Sequence, residues 1–377
     1  IELFQDFLDG VDRSISTTMA LVRMMSKLLR DKEVGKYIVP IVPDEARTFG
    51  MDGLFPQAGI YSPEGQNYHP VDEGTIAPYK EAKDGQILQE GICEAGAMAS
   101  FMAAGTAYSH FELPMIPFYI FYSIFGFQRV GDMIWACGDA LSRGFLIGGT
   151  AGRTTLNGEG VQHQDGHSHV LASTVPNLMT YDPAFAYELA VIVREGIYRM
   201  YEKQEDIFYY VTVYNENYTH PAMPKGTQEG ILKGIYRLNK GSEKLRKKYK
   251  GKPIHLLGSG SIMQQVLSAQ KTLEEKGIPV NVWSVTSYNL LHKDFIESKK
   301  SSQEPYLAKI MKNETGHFIA VSDFMTLLPD SLTHLFPGTF TSLGTDGYGL
   351  SEAREELRDY FGISAKSIID CVLQRLN

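Results

Sequence analysis

A chain of 377 residues with 43% apolar and 21% charged side chains is long enough for two ordinary domains, each with its own core. Its formal net charge of −8 argues against a general nucleic-acid binder, which needs a clustered Lys/Arg surface, and turns attention to small-molecule or protein partners. Three cysteines, Cys93, Cys137 and Cys371, lie far apart in apolar or small-residue surroundings, as expected of buried, reduced thiols in the cytoplasm rather than of a disulfide framework.

In chain order, Ile1 stands where an initiating Met would, which places the expected start of translation upstream. Ala20, Leu21, Met24, Met25, Leu28 and Leu29 share one helical face between Ser16 and Leu29, with Ser16 or Thr17 as the cap. Tyr37 to Val42 reads as a buried strand that carries Asp44 and Glu45 at its C-terminal end, where ligands sit in parallel α/β sheets. The segment Glu94 to Tyr108 is crowded with Ala and Gly, so a helix there can approach its neighbours closely. A second strand is expected at Ile116 to Tyr122, inside the apolar stretch Phe111–Phe127, which carries Glu112, Pro114 and Pro117 and is too short to span a membrane. A glycine-rich stretch with six glycines between Gly148 and Gly166 has the length and composition of a functional or mobile loop.

The basic run from Lys240 to Lys252 reads as a solvated linker, with its boundaries set at 226–252. Beyond it, a strand at Ile254 to Leu257, a Gly-Ser-Gly-Ser turn, a helix through Leu273 and a strand at Val280 to Val285 form a βαβ unit. Phe318 to Val321 and an amphipathic helix bearing Ile368, Ile369, Val372, Leu373 and Leu376 complete a second domain, 253–377, after a first domain of 1–225.

Three features carry chemistry. Gly258-Ser259-Gly260-Ser261 lacks the third glycine of a dinucleotide fingerprint, because Met263 stands there, so a tight structural turn is expected. His163, Asp165, His167 and His169 are of metal-ligating type but have neither helical-pair nor finger spacing, so polar substrate contact or loop ordering ranks ahead of a metal site. Glu94, preceded by Ile92 and Cys93 at a helix start, is either a simple partner of the helix dipole or a carboxyl in a partly dry place, where burial favours its protonated form.

The strings PDEARTFGMDGLF (43–55), GQILQEGICEAGA (85–97), PFYIFYSIFGFQRVGD (117–132), RGFLIGGTAGRTTLNGEGVQHQDGHSH (143–169) and YNENYTHPAMP (214–224) resemble the homodimeric bacterial pyruvate dehydrogenase family. The similarity continues through LLGSGSI (256–262), SVTSYN (284–289) and LGTDGYGLSEARE (343–355), so it covers nearly the whole chain. It implies a transketolase-like α/β fold of two consecutive doubly wound domains with mainly parallel sheets, a pyrimidine-binding domain and a C-terminal domain. The family's diphosphate and Mg2+ motif belongs to a preceding domain and has no counterpart here, since Asp346-Gly347 follows Thr345 with no Asn at a suitable distance.

The resemblance further implies thiamin diphosphate as cofactor, pyruvate as substrate, and transfer of an acetyl group to the lipoyl domain of an acetyltransferase component. The active site would be completed by the diphosphate-binding domain of a homodimer partner. Matched residue by residue, Glu94 corresponds to the glutamate that hydrogen-bonds the aminopyrimidine, Phe125 to the residue stacked on it, and Ile92 and Arg129 to its pocket neighbours. Tyr122 and His163 correspond to substrate-side groups; Asp44, Glu45 and Glu159 correspond to polar groups of the access channel. Three rivals remain at this point: another transketolase-like enzyme, a non-catalytic dimerisation fragment, and a metal hydrolase built on the histidine loop.

Overall fold

The computed structural model describes residues 2–376 and sets two α/β units in sequence. Helix α1 (Thr17–Arg30) starts where Ser16 accepts from the Met19 N–H at 3.0 Å, which satisfies one of the donors that a helix start leaves open. Its buried stripe Ala20, Leu21, Met24, Met25 and Leu28 is the one expected from the spacing. There follow β1 (Ile38–Val42), β2 (Leu88–Gln89), α2 (Glu94–Phe111), β3 (Ile116–Tyr122), α3 (Ser123–Asp139), β4 (Phe145–Gly149), β5 (Leu178–Tyr181), α4 (Ala186–Ile197) and β6 (Phe208–Thr212). The six strands form one parallel sheet in the order β2-β1-β3-β4-β6-β5. Helices cover both faces of such a sheet, which is why β3 reads as an unbroken apolar run with Ile116 to Phe121 all buried.

The winding reverses between β1 and β3. The chain leaves β1 for the edge strand β2 and then crosses back to β3, so a crevice opens at the carboxyl ends of β1 and β3. Helix α3 follows β3 without a break and lies close to it, because Gly126 leaves room for the Phe121 ring; a Cβ there would come within 2.1 Å of that ring.

The second unit contains β7 (Ile235–Asn239), β8 (Ile254–Gly258), α5 (Met263–Glu275), β9 (Val280–Val285), α6 (Tyr288–Ser301), β10 (His317–Val321), β11 (Thr339–Leu343), α7 (Arg354–Tyr360) and α8 (Ala365–Leu376). Its sheet runs β7-β9-β8-β10-β11, parallel except for the antiparallel edge strand β7. The stretch 226–252 is therefore not a plain linker. It holds the helix Gln228–Lys233, strand β7 with Ile235 and Tyr236 buried, and the helix Glu243–Lys248, whose lysines are solvated as the charge run suggests. One apolar cluster runs continuously through both units, from Phe7 and Ile41 to Leu256 and Val372.

Two further expectations change. The glycine-rich stretch begins inside β4 and stays buried through Leu156, so its first half is packed rather than loose. The three cysteines are free, but only Cys137 is buried; Cys93 is exposed. No helix among the described residues is long and apolar enough to cross a membrane.

Candidate active site

Parallel strands deliver their following residues to one edge of the sheet, and here that edge gathers side chains from four of them. Glu45 follows β1, Glu94 follows β2 as the first residue of α2, Tyr122 ends β3, and Glu159 and His163 lie beyond β4. Glu94 is buried, and Arg129 Nη1 donates to its Oε1 at 2.5 Å. The same guanidinium lies over the Phe125 ring, its central carbon 3.8 Å from the ring centroid. Tyr119 Oη donates to the Glu94 backbone carbonyl at 3.4 Å and supports the start of α2 from below.

Next to Phe125 the aromatic groups continue. The His163 ring stacks on Tyr122 at 4.8 Å between centroids and meets the edge of Phe125 at 5.8 Å. Phe49 closes on Tyr122 from the other side at 5.5 Å. Glu159 Oε2 lies 3.0 Å from His163 Nδ1, one helical turn away in sequence, which orients the ring and leaves Nε2 directed away from that partner. Burial raises the Tyr122 phenol above its ordinary range; the Thr48 hydroxyl opposes this, and the carboxylates of Glu45 and Glu159 add to it.

The structure thus brings together Glu94, Arg129, Phe125, Tyr122 and His163, with Glu159 behind the histidine and Glu45 within electrostatic reach of Tyr122 and Tyr119. Asp44 is exposed at the rim, where Gln89 Nε2 donates to its Oδ1 at 3.1 Å. Glu94 is buried, but the apolar neighbours expected to enclose it do not: Ile92 is 70% exposed and Cys93 is exposed too, and what closes on the carboxyl is Arg129. Phe49 and Thr48 were not singled out, because their approach to Tyr122 depends on the turn after β1 and has no local signature.

The polar residues of the histidine-rich loop are engaged within the chain. Asp165 accepts from the His167 N–H, the Ser168 N–H and the Ser168 hydroxyl, and so starts a short helix. His169 is buried against Thr212, His167 contacts Gln128, and His163 pairs with Glu159. Among the described residues no three His, Cys, Asp or Glu side chains converge as a metal-holding group. The Gly258–Ser261 turn packs tightly, with Gly260 at a φ of +49° against Tyr214 and the Ser261 hydroxyl 2.6 Å from that of Thr155.

Arg129 thus occupies the corner between the Glu94 carboxyl and the Phe125 ring.

Residues 7–221 match the family model described as the pyruvate dehydrogenase E1 component middle domain, and residues 234–364 match a transketolase-like C-terminal domain. The chain is 53% identical over its full length to a pyruvate dehydrogenase E1 component of Pseudomonas aeruginosa, and 50% identical over 99% of its length to one of Escherichia coli. It spans 43% of the length of each. Among solved structures, a Pichia stipitis transketolase in complex with fructose 6-phosphate superposes with a TM-score of 0.71 over all of this chain and 48% of its own, at 15% identity. A split-gene transketolase described as an inactive β4 tetramer superposes with a TM-score of 0.61 and 16% identity, over 96% of this chain and 98% of that one. The likeness to transketolases shows the fold, and the sequence matches show that the chain belongs to the pyruvate dehydrogenase E1 component family.

Proposed function

We propose that this chain supplies the aminopyrimidine-binding half of a thiamin-diphosphate site that decarboxylates pyruvate and passes the acetyl group to a lipoyl domain. The observation that carries this reading is the juxtaposition of a buried carboxyl, Glu94, with the face of Phe125 and the His163–Glu159 pair at one switch point. An aminopyrimidine is a flat ring with N–H donors and fits the two contacts that Arg129 now makes. Bound there, thiamin diphosphate would supply the electron sink for loss of carbon dioxide. Glu94 would hold a proton between its carboxyl and a ring nitrogen, Phe125 would fix the ring plane, and Arg129 would turn aside to the rim.

His163 would donate from Nε2 to the pyruvate carboxylate, its ring held by the Glu159 contact at Nδ1 and by the stack on Tyr122. The exposed faces of Ile92 and Arg129 suit closure by a diphosphate-binding domain of a homodimer partner that carries Mg2+, which would exclude water from the site. Glu45 and Asp44 would line the path of the lipoyl arm. The free thiol of Cys93 suits a reducing compartment, and we place the enzyme in the cytoplasm.

The test is Glu94→Gln in the full-length enzyme. The amide keeps the shape but cannot cycle a proton, so pyruvate decarboxylation should fall by about 10²-fold or more. Near-normal turnover by this variant would remove Glu94, and with it the cofactor assignment.

A further inference from the structure

The residues before and after the Glu159–His163 pair are held from the C-terminal unit. Asp323, on the turn after β10 and 1% exposed, accepts at Oδ1 from the Thr154 N–H at 2.9 Å and from the Thr154 hydroxyl at 2.8 Å. Its Oδ2 accepts from the Thr155 hydroxyl at 2.6 Å. Gly152 leaves the space for this carboxylate, since a Cβ there would stand 2.1 Å from Oδ2. Arg153, also buried, donates to the carbonyls of Thr345 and Gly347. On the far side of the pair, Gln164 exchanges hydrogen bonds with the backbone of Leu350, and the Gly166 carbonyl accepts from the Met325 N–H at 2.8 Å.

Beyond Thr155 the C-terminal unit also holds Asn157, whose Oδ1 accepts from the Arg354 N–H at 3.0 Å, and Gly158, whose N–H donates to the Glu352 carbonyl at 3.2 Å, so the stretch left between the anchorages is 159–163, which carries both Glu159 and His163. Among the described residues the His163 ring has no hydrogen bond to the C-terminal unit; its position follows from where the stretch from Thr154 to Gly158 and Gln164 are fixed, with Asp323 holding the start of that stretch. We propose that Asp323 is a positioning residue for the Glu159–His163 pair, so that the C-terminal domain sets the geometry of a site it does not itself line. The proposal rests on the function read above.

Burial works against the charge on Asp323 and raises its carboxyl to about 6, partly countered by Arg358 and by the hydrogen bonds from Thr155 and Thr154. A carboxylate placed at such cost, with every acceptor atom directed at one loop, is poor packing material but a stiff anchor.

The test uses Asp323→Ala and Thr155→Val in the full-length enzyme, with Thr155→Ser as the conservative control. Two quantities are read: amide hydrogen exchange across residues 150–166, and kcat/KM for pyruvate beside the half-saturating concentration of thiamin diphosphate. The expected result is about tenfold faster exchange confined to the loop. With it comes a loss of up to ~10²-fold in kcat/KM, since a misplacement of about 1 Å can cost that much. Half-saturation by thiamin diphosphate should move less than about twofold, and Thr155→Ser should restore the wild-type values.

Unchanged kcat/KM in Thr155→Val and Asp323→Ala, or a loss accompanied by equal weakening of cofactor binding and faster exchange throughout the C-terminal unit, overturns the proposal. If Asp323→Ala does not accumulate as folded protein, Thr155→Val decides by the same readings. A wild-type enzyme that does not turn over pyruvate would sink the functional reading instead, and the exchange measurement would still show whether Asp323 holds the loop.

Discussion

Glu94 and Arg129 form a pair whose two members differ sharply in exposure, 10% and 46% of the side chain, and solvent at the arginine screens their attraction. Such a pair contributes under about 1 kcal/mol. The fold should therefore survive Glu94→Gln, which is what makes that variant a test of chemistry rather than of folding. His255 on β8 has a different role. It is fully buried, donates from Nε2 to the Thr315 carbonyl at 3.0 Å and accepts at Nδ1 from Trp283 Nε1 at 3.1 Å, so only the neutral ring satisfies both contacts. Burial pushes it down to about 4, with the Thr315 hydrogen bond opposing and Arg237 assisting. A lowered folded value means that the unfolded chain binds the proton first: this contribution is fully present above about pH 6.5 and is lost as pH falls towards 4. Between pH 7 and 5 the loss should be about 2 kcal/mol in urea unfolding. His255→Gln should show a flatter profile, and equal slopes for the two proteins would refute the assignment.

At the scale of elements, α3 decides how the site is aimed, because Phe125 and Arg129 both stand on it. The helix has a break in its dihedral pattern at Val130, directly after Arg129, and it is seated on β3 through Gly126. In Gly126→Ala the new methyl group would meet the Phe121 ring, and overpacking of this kind costs about 1–3 kcal/mol. Chemical denaturation should show that loss, accompanied by weaker cofactor binding as α3 is pushed off the sheet. A neutral or stabilising change would mean that the helix is seated by something else. The sequence made β1, β3, β8, β9 and α1 legible because each is a local pattern, a continuous apolar run or a helical stripe. It did not make β7 legible: Ile235 and Tyr236 are its only buried positions, and they stand just before the lysine run that dominates the composition.

For the molecule as a whole, the domain boundary is crossed by a continuous apolar core and by buried polar groups. Glu188 on α4 accepts from the Tyr236 hydroxyl and the Ser284 hydroxyl, both at 2.6 Å, and from the Ala184 and Phe185 N–H groups. Lys293 on α6 donates to the carbonyls of Val175, Pro176 and Leu178, and burial brings its amine down to about 8. These groups make the two units unfold together, so calorimetry should show one transition. Lys293 is half-buried, and Lys293→Met should destabilise the transition by about 2 kcal/mol, the typical worth of hydrogen bonds to a charged group. Two separated transitions in the wild type would contradict this coupling.

The residues that name the family lie in short contiguous strings. Glu94, Phe125, Tyr122 and His163 are found from the strings around them, and of the strands that carry them to one edge β3, which ends at Tyr122, follows from a pattern within a few residues, whereas β2 and β4 do not. The sequence by itself therefore determined the fold class and pointed to Glu94, Phe125, Tyr122 and His163 as the candidates for the site. Only the tertiary structure decided how they are held. That Arg129 bridges Glu94 and Phe125, that Ile92 faces solvent, and that His169 meets Thr212 while His167 meets Gln128 each depend on contacts between elements. The anchorage of Thr154 by Asp323 joins positions 169 residues apart. No local propensity records such a contact, because it exists only once two sheets have packed against each other.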